Sequence, residues 1–393
     1  MAQQPEWANH PDYLWSVRTL TESEPLVAPA EIRQLTAALA RVAAGEALVL
    51  QAGDCVESFH EATPANTARK LEVLRELSAE LERVGAQPVV SIGRLGGQYA
   101  KPRSHRLERS GLHELLVFRG HMINSEVPTS CARRHDPARM VMAYQLAAAA
   151  HRELAQARSR ELAKAGQHEA APAAGQRPVH GGPWSSHEAL VLDYERALIR
   201  RDSQSGAAFL GSAHLPWIGD RTRAPGSPHV RLLASVLNPV ACKVGPGARP
   251  ADVASVCALL DPDRVAGRLV LIPRVGARHI NGRLASIVRE VQRKGHRPVW
   301  LCDPMHGNTV LAISGMKTRH LAVMMAEARA FRRILRECGA RPAGLHLEVA
   351  ADPVTECVGG PVAGEGALTE RYTTLCDPRL NPEQAHEMIS DWR

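Results

Sequence analysis

The sequence predicts an α/β fold, a closed (β/α)8 barrel of parallel strands with an N-terminal helical extension. Three observations carry this expectation. From residue 47 onward, short β-rich runs alternate with Ala/Leu/Arg-rich helical stretches, the pattern of a sheet wrapped by helices. Eight such runs can be counted, which is the strand number of a TIM barrel. The phosphate loop G-x-G-x-x-G, which opens the rival doubly wound sheet, does not follow the first run. The 393 residues are 45% hydrophobic, enough for one large barrel domain over 47–393. Residues 1–46 form an arm expected to make oligomer contacts, giving a homodimer or larger assembly.

In that arm, Pro29–Ala44 has helical periodicity, with Leu35, Leu39 and Val42 on one face. The β-type runs are Leu48–Leu50, Pro88–Ile92, Trp184–His187, Ala208–Leu210, Val240–Val244, Leu269–Ile272, Pro298–Leu301 and Leu345–Val349. The third is the weakest. Helical stretches lie between most of them: Thr67–Val84, Pro137–Leu162, Ala189–Arg201, Ala251–Leu260, Ile280–Lys294 and Thr318–Cys338. Residues 163–182 are rich in Ala, Gly, Pro and Gln and read as an exposed, mobile loop.

Bulk properties narrow the function. Aromatics are only 4%, so the core is aliphatic. The formal charge of +7 invites a nucleic-acid reading, but no basic run is interleaved with aromatics. A cleft for small phosphorylated anions also accounts for a basic chain. The eight cysteines contain no CxxC pair and lack the density of a disulfide scaffold. The N-terminus has no basic region leading into an apolar stretch. No apolar run reaches the roughly 18–20 residues of a membrane span. The expectation is a reduced, cytoplasmic protein with neither nucleic acid nor membrane as partner.

Four segments share one form, an apolar run broken by metal-ligand residue types. They are Leu48–Phe59, Leu301–Thr309, Gly344–Ala350 and Tyr372–Asn381. Strand tips are where a barrel keeps its chemistry. Cys55, His306, Glu348 and Asp377 therefore read as one metal site of mixed soft and hard donors, suited to Mn²⁺, Fe²⁺, Co²⁺ or Zn²⁺. Each residue alone is unremarkable, and the argument rests on all four meeting at one rim. Cations follow the other runs: Arg94, then Lys101, Arg103 and Ser104 in a Gly- and Pro-punctuated loop, then Asp220-Arg221, Lys243 and Arg274. A charge at the end of an apolar strand is costly without a counter-ion. Several of them around one mouth would repel unless they receive a multiply charged anion. Cys376 adjoins Asp377, so a shared metal would bring it near Cys55, and oxidation could then join the two thiols and eject the metal.

These residues carry a family likeness. QQPEW (Gln3–Trp7), QAGDC, GGQYAKPRS, SSHEALVLDYERA, SAHLPWIGDRTR, NPVACKVGP, DPMHGNT, GLHLE, VTECVGG and CDPRLN resemble the type II DAHP synthases, almost end to end. In length the chain is similar to the compact, phenazine-type branch of secondary metabolism. The stretch 163–182 stands where longer members carry helices linked to feedback control. The resemblance implies condensation of phosphoenolpyruvate with erythrose 4-phosphate, the first step of the shikimate pathway. It implies a metal, Mn²⁺ or Co²⁺ foremost, on Cys55, His306, Glu348 and Asp377. Phosphoenolpyruvate falls to Arg94, Asp220, Arg221, Lys243 and Arg274, and the aldose phosphate to Lys101, Arg103 and Ser104. Lys101, Lys243 and His306 take catalytic roles. Three positions depart from the family pattern: Asp220 stands for glutamate, His121 stands for aspartate near the expected aldose region, and Ser125 stands for glycine in the same loop. They open an alternative, an amino-DAHP synthase acting on iminoerythrose phosphate. A second alternative is a silent homologue that binds a partner such as a chorismate mutase.

Overall fold

The structure, a computed structural model, describes residues 3–111, 113–168 and 182–393. Eight parallel strands close into a barrel in sequence order: β1 Leu48–Gly53, β2 Val89–Arg94, β3 Trp184–Glu188, β4 Leu215–Ile218, β5 Val240–Val244, β6 Leu269–Pro273, β7 Val299–Cys302 and β8 Pro342–Glu348. The (β/α)8 expectation is met. Ten helices are described. The arm carries α1 (Tyr13–Glu22) and α2 (Pro29–Ala44), and the barrel is wrapped by α3 (Pro64–Gly85), α4 (Ala138–His168), α5 (Leu192–Ala197), α6 (Pro228–Ala234), α7 (Pro250–Leu260), α8 (Ile280–Arg293), α9 (Leu321–Glu337) and α10 (Pro382–Ser390).

Three details differ from the sequence reading. Ala208–Leu210 is not a barrel strand. It pairs antiparallel with Ile199–Arg201 in a hairpin, and the fourth barrel strand is Leu215–Ile218. Pro216 within that short strand hides it, because proline cannot donate to a ladder. The expected helix Ala189–Arg201 is accordingly short and gives way to the hairpin. α4 runs on to His168, past Leu162, and most of the expected loop 163–182 lies outside the described residues.

Packing explains the closure. Val49, Ile92, Leu215, Val270 and Leu301 point inward and meet Leu35, Leu39 and Val42 of α2. α2 thus plugs the N-terminal end of the barrel. A Cβ on Gly267 would collide with the α2 backbone at Thr36 and Ala40, so only glycine permits this approach. A second, larger apolar layer lies between the outer barrel face and the helices. The QQPEW segment is spent on its own chain: Gln3 and Arg103 exchange hydrogen bonds, and Trp7 Nε1 donates to Asp193 at 2.9 Å. No helix among the described residues is long and apolar enough to cross a membrane.

Candidate active site

The register of the barrel assembles the site. Gly53, the last residue of β1, lies beside Glu348 of β8 on one flank and Arg94 of β2 on the other. Gly53 has φ +145°, and a Cβ there would sit 2.7 Å from the Arg94 carbonyl oxygen. Glycine is therefore required where the chain turns to present Cys55. Two residues on, the Cys55 sulfur accepts the Asp377 amide N–H at 3.3 Å. Asp377 is held near β1 by a buried network: Arg379 pairs with Asp54 at 2.7 Å and with Glu356 at 2.8 Å.

Three of the four expected metal ligands surround one cation. Lys101 Nζ lies 2.5 Å from Cys55 Sγ, 2.6 Å from Asp377 Oδ2 and 3.3 Å from Glu348 Oε1. The fourth, His306, reaches the same carboxylate, with Nε2 3.0 Å from Glu348 Oε1. Three donors therefore surround a positive charge, and the fourth joins them through the shared Glu348 carboxylate. The His306 ring is oriented by Asp303, 2.8 Å from Nδ1, which leaves Nε2 facing the other donors. Burial raises the carboxyl of Glu348, but His306, Lys101 and Arg319 outweigh it and hold it well below the usual range. Asp377, also pushed up by burial, is likewise brought well below by Lys101. Burial pushes the Cys55 thiol up, and Glu348 adds to this.

Above these donors lies a cleft of about 420 Å³ at the C-terminal mouth of the barrel. Lys101, Arg103, Ser104, Asp220, Arg221, Lys243, Arg274, His306 and Asp377 line it, so nine of the residues singled out in the sequence share one opening. Lys243 donates to Asp303 at 3.0 Å, and desolvation depresses its ammonium. Arg274 donates to the His306 carbonyl at 2.6 Å. Arg221 donates to Ser104 Oγ at 2.7 Å, tying the aldose-side loop to the loop after β4. Asp220 accepts the Gly245 N–H at 2.8 Å and Arg223 Nε at 2.7 Å.

Other residues lie apart from the cleft lining. Arg94 sits beneath it, its guanidinium spent on Asp54 O (2.9 Å), His346 Nε2 (2.6 Å) and Glu348 (3.1 Å). Cys376 and Cys55 are free thiols in one small apolar cluster with Val56 and Phe118. His121 is buried outside the cleft. Its Nδ1 accepts the Phe59 N–H at 3.0 Å and its Nε2 faces Glu126 at 2.5 Å. His60, His121 and Glu126 form a tight group of ligand-type atoms, as do His10, Asp12 and Asp136 at the surface. In the first group the Phe59 N–H occupies Nδ1 of His121, so that ring carries its proton on Nε2, toward Glu126, and offers no lone pair of its own to a cation.

Several site residues escaped the sequence reading. Asp303 orients both His306 and Lys243; its one legible signal was its place three residues before His306. Arg319 is fully buried and donates to Glu348 Oε2 at 2.7 Å. Glu188 lines the cleft with Oε1 free of any protein hydrogen bond, and burial raises its carboxyl.

A family model described as the class-II DAHP synthetase family matches residues 1–176 and 176–390. The chain belongs to that family. It is 44% identical over 393 residues to a probable phospho-2-dehydro-3-deoxyheptonate aldolase of Pseudomonas fluorescens, covering 100% of this chain and 94% of the relative. It is 38% identical to the phospho-2-dehydro-3-deoxyheptonate aldolase AroG of Mycolicibacterium smegmatis, covering 98% and 90%. A solved aldolase of the same name from Francisella tularensis superposes with TM-score 0.52 at 12% identity, over 96% of this chain and 97% of that one. At that identity the likeness speaks for the fold.

Proposed function

We propose that this protein condenses phosphoenolpyruvate with erythrose 4-phosphate and water, giving DAHP and inorganic phosphate. Family membership and the full-length relatives support the reaction. The observation that carries it is the cleft itself, lined by Lys101, Arg103, Arg221, Lys243, Arg274 and Lys317 beside Glu188, Asp220 and Asp377, while Glu348, Asp303 and Glu108 pair with Lys101, Lys243 and Arg103 from outside the lining. Among the described residues Arg221 has no carboxylate within ion-pair distance and Arg274 only Asp220 at 3.8 Å, so these two guanidinium groups are free to receive the anionic groups of two phosphorylated substrates.

A divalent cation fits the donor set, since Lys101 already places a positive charge among Cys55, Glu348 and Asp377. Cys55, His306, Glu348 and Asp377 would hold it, with Mn²⁺ or Co²⁺ suited to such mixed donors. Bound there, it would supply Lewis acidity toward the aldehyde oxygen.

The chain's own residues do the rest. Lys243, Arg274 and Arg221 hold the carboxylate and phosphate of phosphoenolpyruvate, and Arg103 and Ser104 hold the phosphate of the aldose. Arg94 keeps Glu348 and His346 in place from below. C3 of phosphoenolpyruvate forms the new bond to the aldehyde carbon. Water adds at C2, and phosphate departs as the C2–O bond breaks. Glu188, with a free buried oxygen and a raised carboxyl, is placed to exchange a proton with that water. Holding two mutually repelling anions in line is much of the catalysis, for which gains of roughly 7–11 kcal/mol are attainable. His121, which invited an iminoerythrose substrate, lies outside the cleft, so no geometry favours that alternative. The test is direct: strip the protein with a chelator, restore Mn²⁺ or Co²⁺, and follow phosphoenolpyruvate with and without erythrose 4-phosphate. Consumption that requires both metal and aldose is expected. No consumption with any divalent metal would return the chain to a partner-binding role.

A further inference from the structure

At the other end of the barrel lies a second cavity of about 260 Å³. It opens between the end of α2, the loop from α8 into β7, and the loop from α9 into β8. The reaction has no use for this end. Its origin is a register shift: β7 and β8 pair Trp300 with Pro342 and then Leu301 with Gly344, leaving Ala343 as an extra residue. Small side chains at Ala43, Ala340 and Ala343 leave the bulge unfilled.

One buried polar atom in this cavity lacks a partner. His296 is 3% exposed, and its Nδ1 has no hydrogen-bond partner. A buried polar atom left unsatisfied costs about 1–3 kcal/mol, so it marks a place where a partner is wanted. Arg297 and Arg341 line the same opening on its solvent side. Neither has a carboxylate within ion-pair distance among the described residues. The interior between them is apolar, with Val42, Val299 and Ala343.

We propose that this cavity binds a small organic acid, an aromatic or compact aliphatic carboxylate. The carboxylate sits between the guanidinium groups of Arg297 and Arg341, the geometry arginine favours. The apolar body lies against Val42, Val299 and Ala343. A polar substituent on that body meets His296 Nδ1. Inorganic phosphate meets the arginines but has nothing to offer the apolar wall. The proposal is independent of the reaction assigned to the cleft.

The experiment is calorimetric titration of the full chain with benzoate, its neutral isostere benzamide, and inorganic phosphate. The proteins are the parent, Arg297→Ala, Arg341→Ala, the cavity-filling Ala43→Phe, and Lys243→Ala as a control that impairs the cleft. Both arginines are exposed, so their removal leaves the fold intact, and thermal melts check this. Benzoate is expected to bind at one site per chain in the parent and in Lys243→Ala. Each arginine variant weakens it about tenfold or more, as does benzamide in place of benzoate. Ala43→Phe abolishes it. The proposal is overturned if benzoate shows no saturable binding at millimolar concentration. It is equally overturned if binding disappears in Lys243→Ala while surviving in Arg341→Ala, or if phosphate binds at this site as tightly as benzoate.

Discussion

Asp303→Asn separates the orientation of His306 from its presence. Asp303 Oδ1 accepts the amide N–H groups of Met305 and His306, both at 3.1 Å. Its Oδ2 lies 2.8 Å from His306 Nδ1 and 3.0 Å from Lys243 Nζ. An asparagine keeps its carbonyl on the two amides and turns its NH2 toward the ring. That NH2 donates to Nδ1, so the ring proton moves to Nε2, the nitrogen facing Glu348. A protonated Nε2 cannot donate a lone pair to a cation. Loss of such an orienting carboxylate costs 10–100-fold in metal affinity, about 1.4–2.7 kcal/mol. Lys243 simultaneously loses its nearest counter-ion, so turnover falls further than affinity. The assay is calorimetric titration of Co²⁺ into chelator-stripped parent and variant, with phosphoenolpyruvate consumption measured in parallel. Thermal melts separate a positioning effect from unfolding. If a folded Asp303→Asn binds Co²⁺ within about twofold of the parent, His306 is not a ligand held by Asp303.

Three other outcomes are expected. Glu31 bonds the amide that opens α2 and faces His214 and Arg158; burial raises its carboxyl, but these partners, His214 foremost, bring it from 4.5 to about 2. Its folded-state value is lowered, so its contribution is complete above pH 4.5 and is lost as pH falls toward 2. The shift sets a ceiling of about 3 kcal/mol, and partial exposure reduces this to about 1–2 kcal/mol. Denaturant melts of Glu31→Gln should show that loss at pH 7 and little difference from the parent near pH 2. Arg379→Met leaves Asp54 and Glu356 without their buried partner, and about 3–5 kcal/mol of stability should go with it; a melting temperature unchanged from the parent would contradict the network. Oxidation of the metal-free protein should join Cys55 to Cys376, and Cys376→Ser should resist the resulting loss of metal binding. Peptide mass spectrometry that finds both thiols free after oxidation ends that idea.

The barrel was legible because most of its strands are uninterrupted apolar runs, buried on both faces, with helical periodicity between them. β4 was not, since Pro216 breaks its pattern while the hairpin strand Ala208–Leu210 imitates it. Cys55, His306, Glu348 and Asp377 could be read because each is a ligand-type residue just beyond or within such a run. Their supports could not. Arg319 stands in a polar stretch that looks solvated, and only the fold brings it against Glu348, 29 positions away. Arg379 finds Asp54 across 325 positions. A counter-ion is chosen by tertiary proximity, and nothing local announces it. Arg94 shows the converse. Its place at a strand end was readable, but the fold binds its guanidinium to the groups beneath the cleft.

The state of Cys55 leads to the sharpest test of the donor set. Burial and the neighbouring Glu348 push its thiol up, while Lys101 acts in the opposite direction. Without a metal, then, Cys55 is a neutral thiol at neutral pH and the Lys101 ammonium balances the carboxylates. A divalent ion takes the thiolate, not the thiol. Binding must therefore expel about one proton from Cys55, because Glu348 and Asp377 are already ionised and His306 is neutral, its imidazolium disfavoured by desolvation. Affinity should rise with pH, about tenfold per unit, for as long as the free protein keeps that thiol protonated. Titrating Co²⁺ in buffers of different ionisation enthalpy measures the proton directly. Cys55→Ser should bind more weakly and release none. If the parent takes up Co²⁺ with no proton release, the sulfur is not a ligand, and the cation is held by the carboxylates and the imidazole alone.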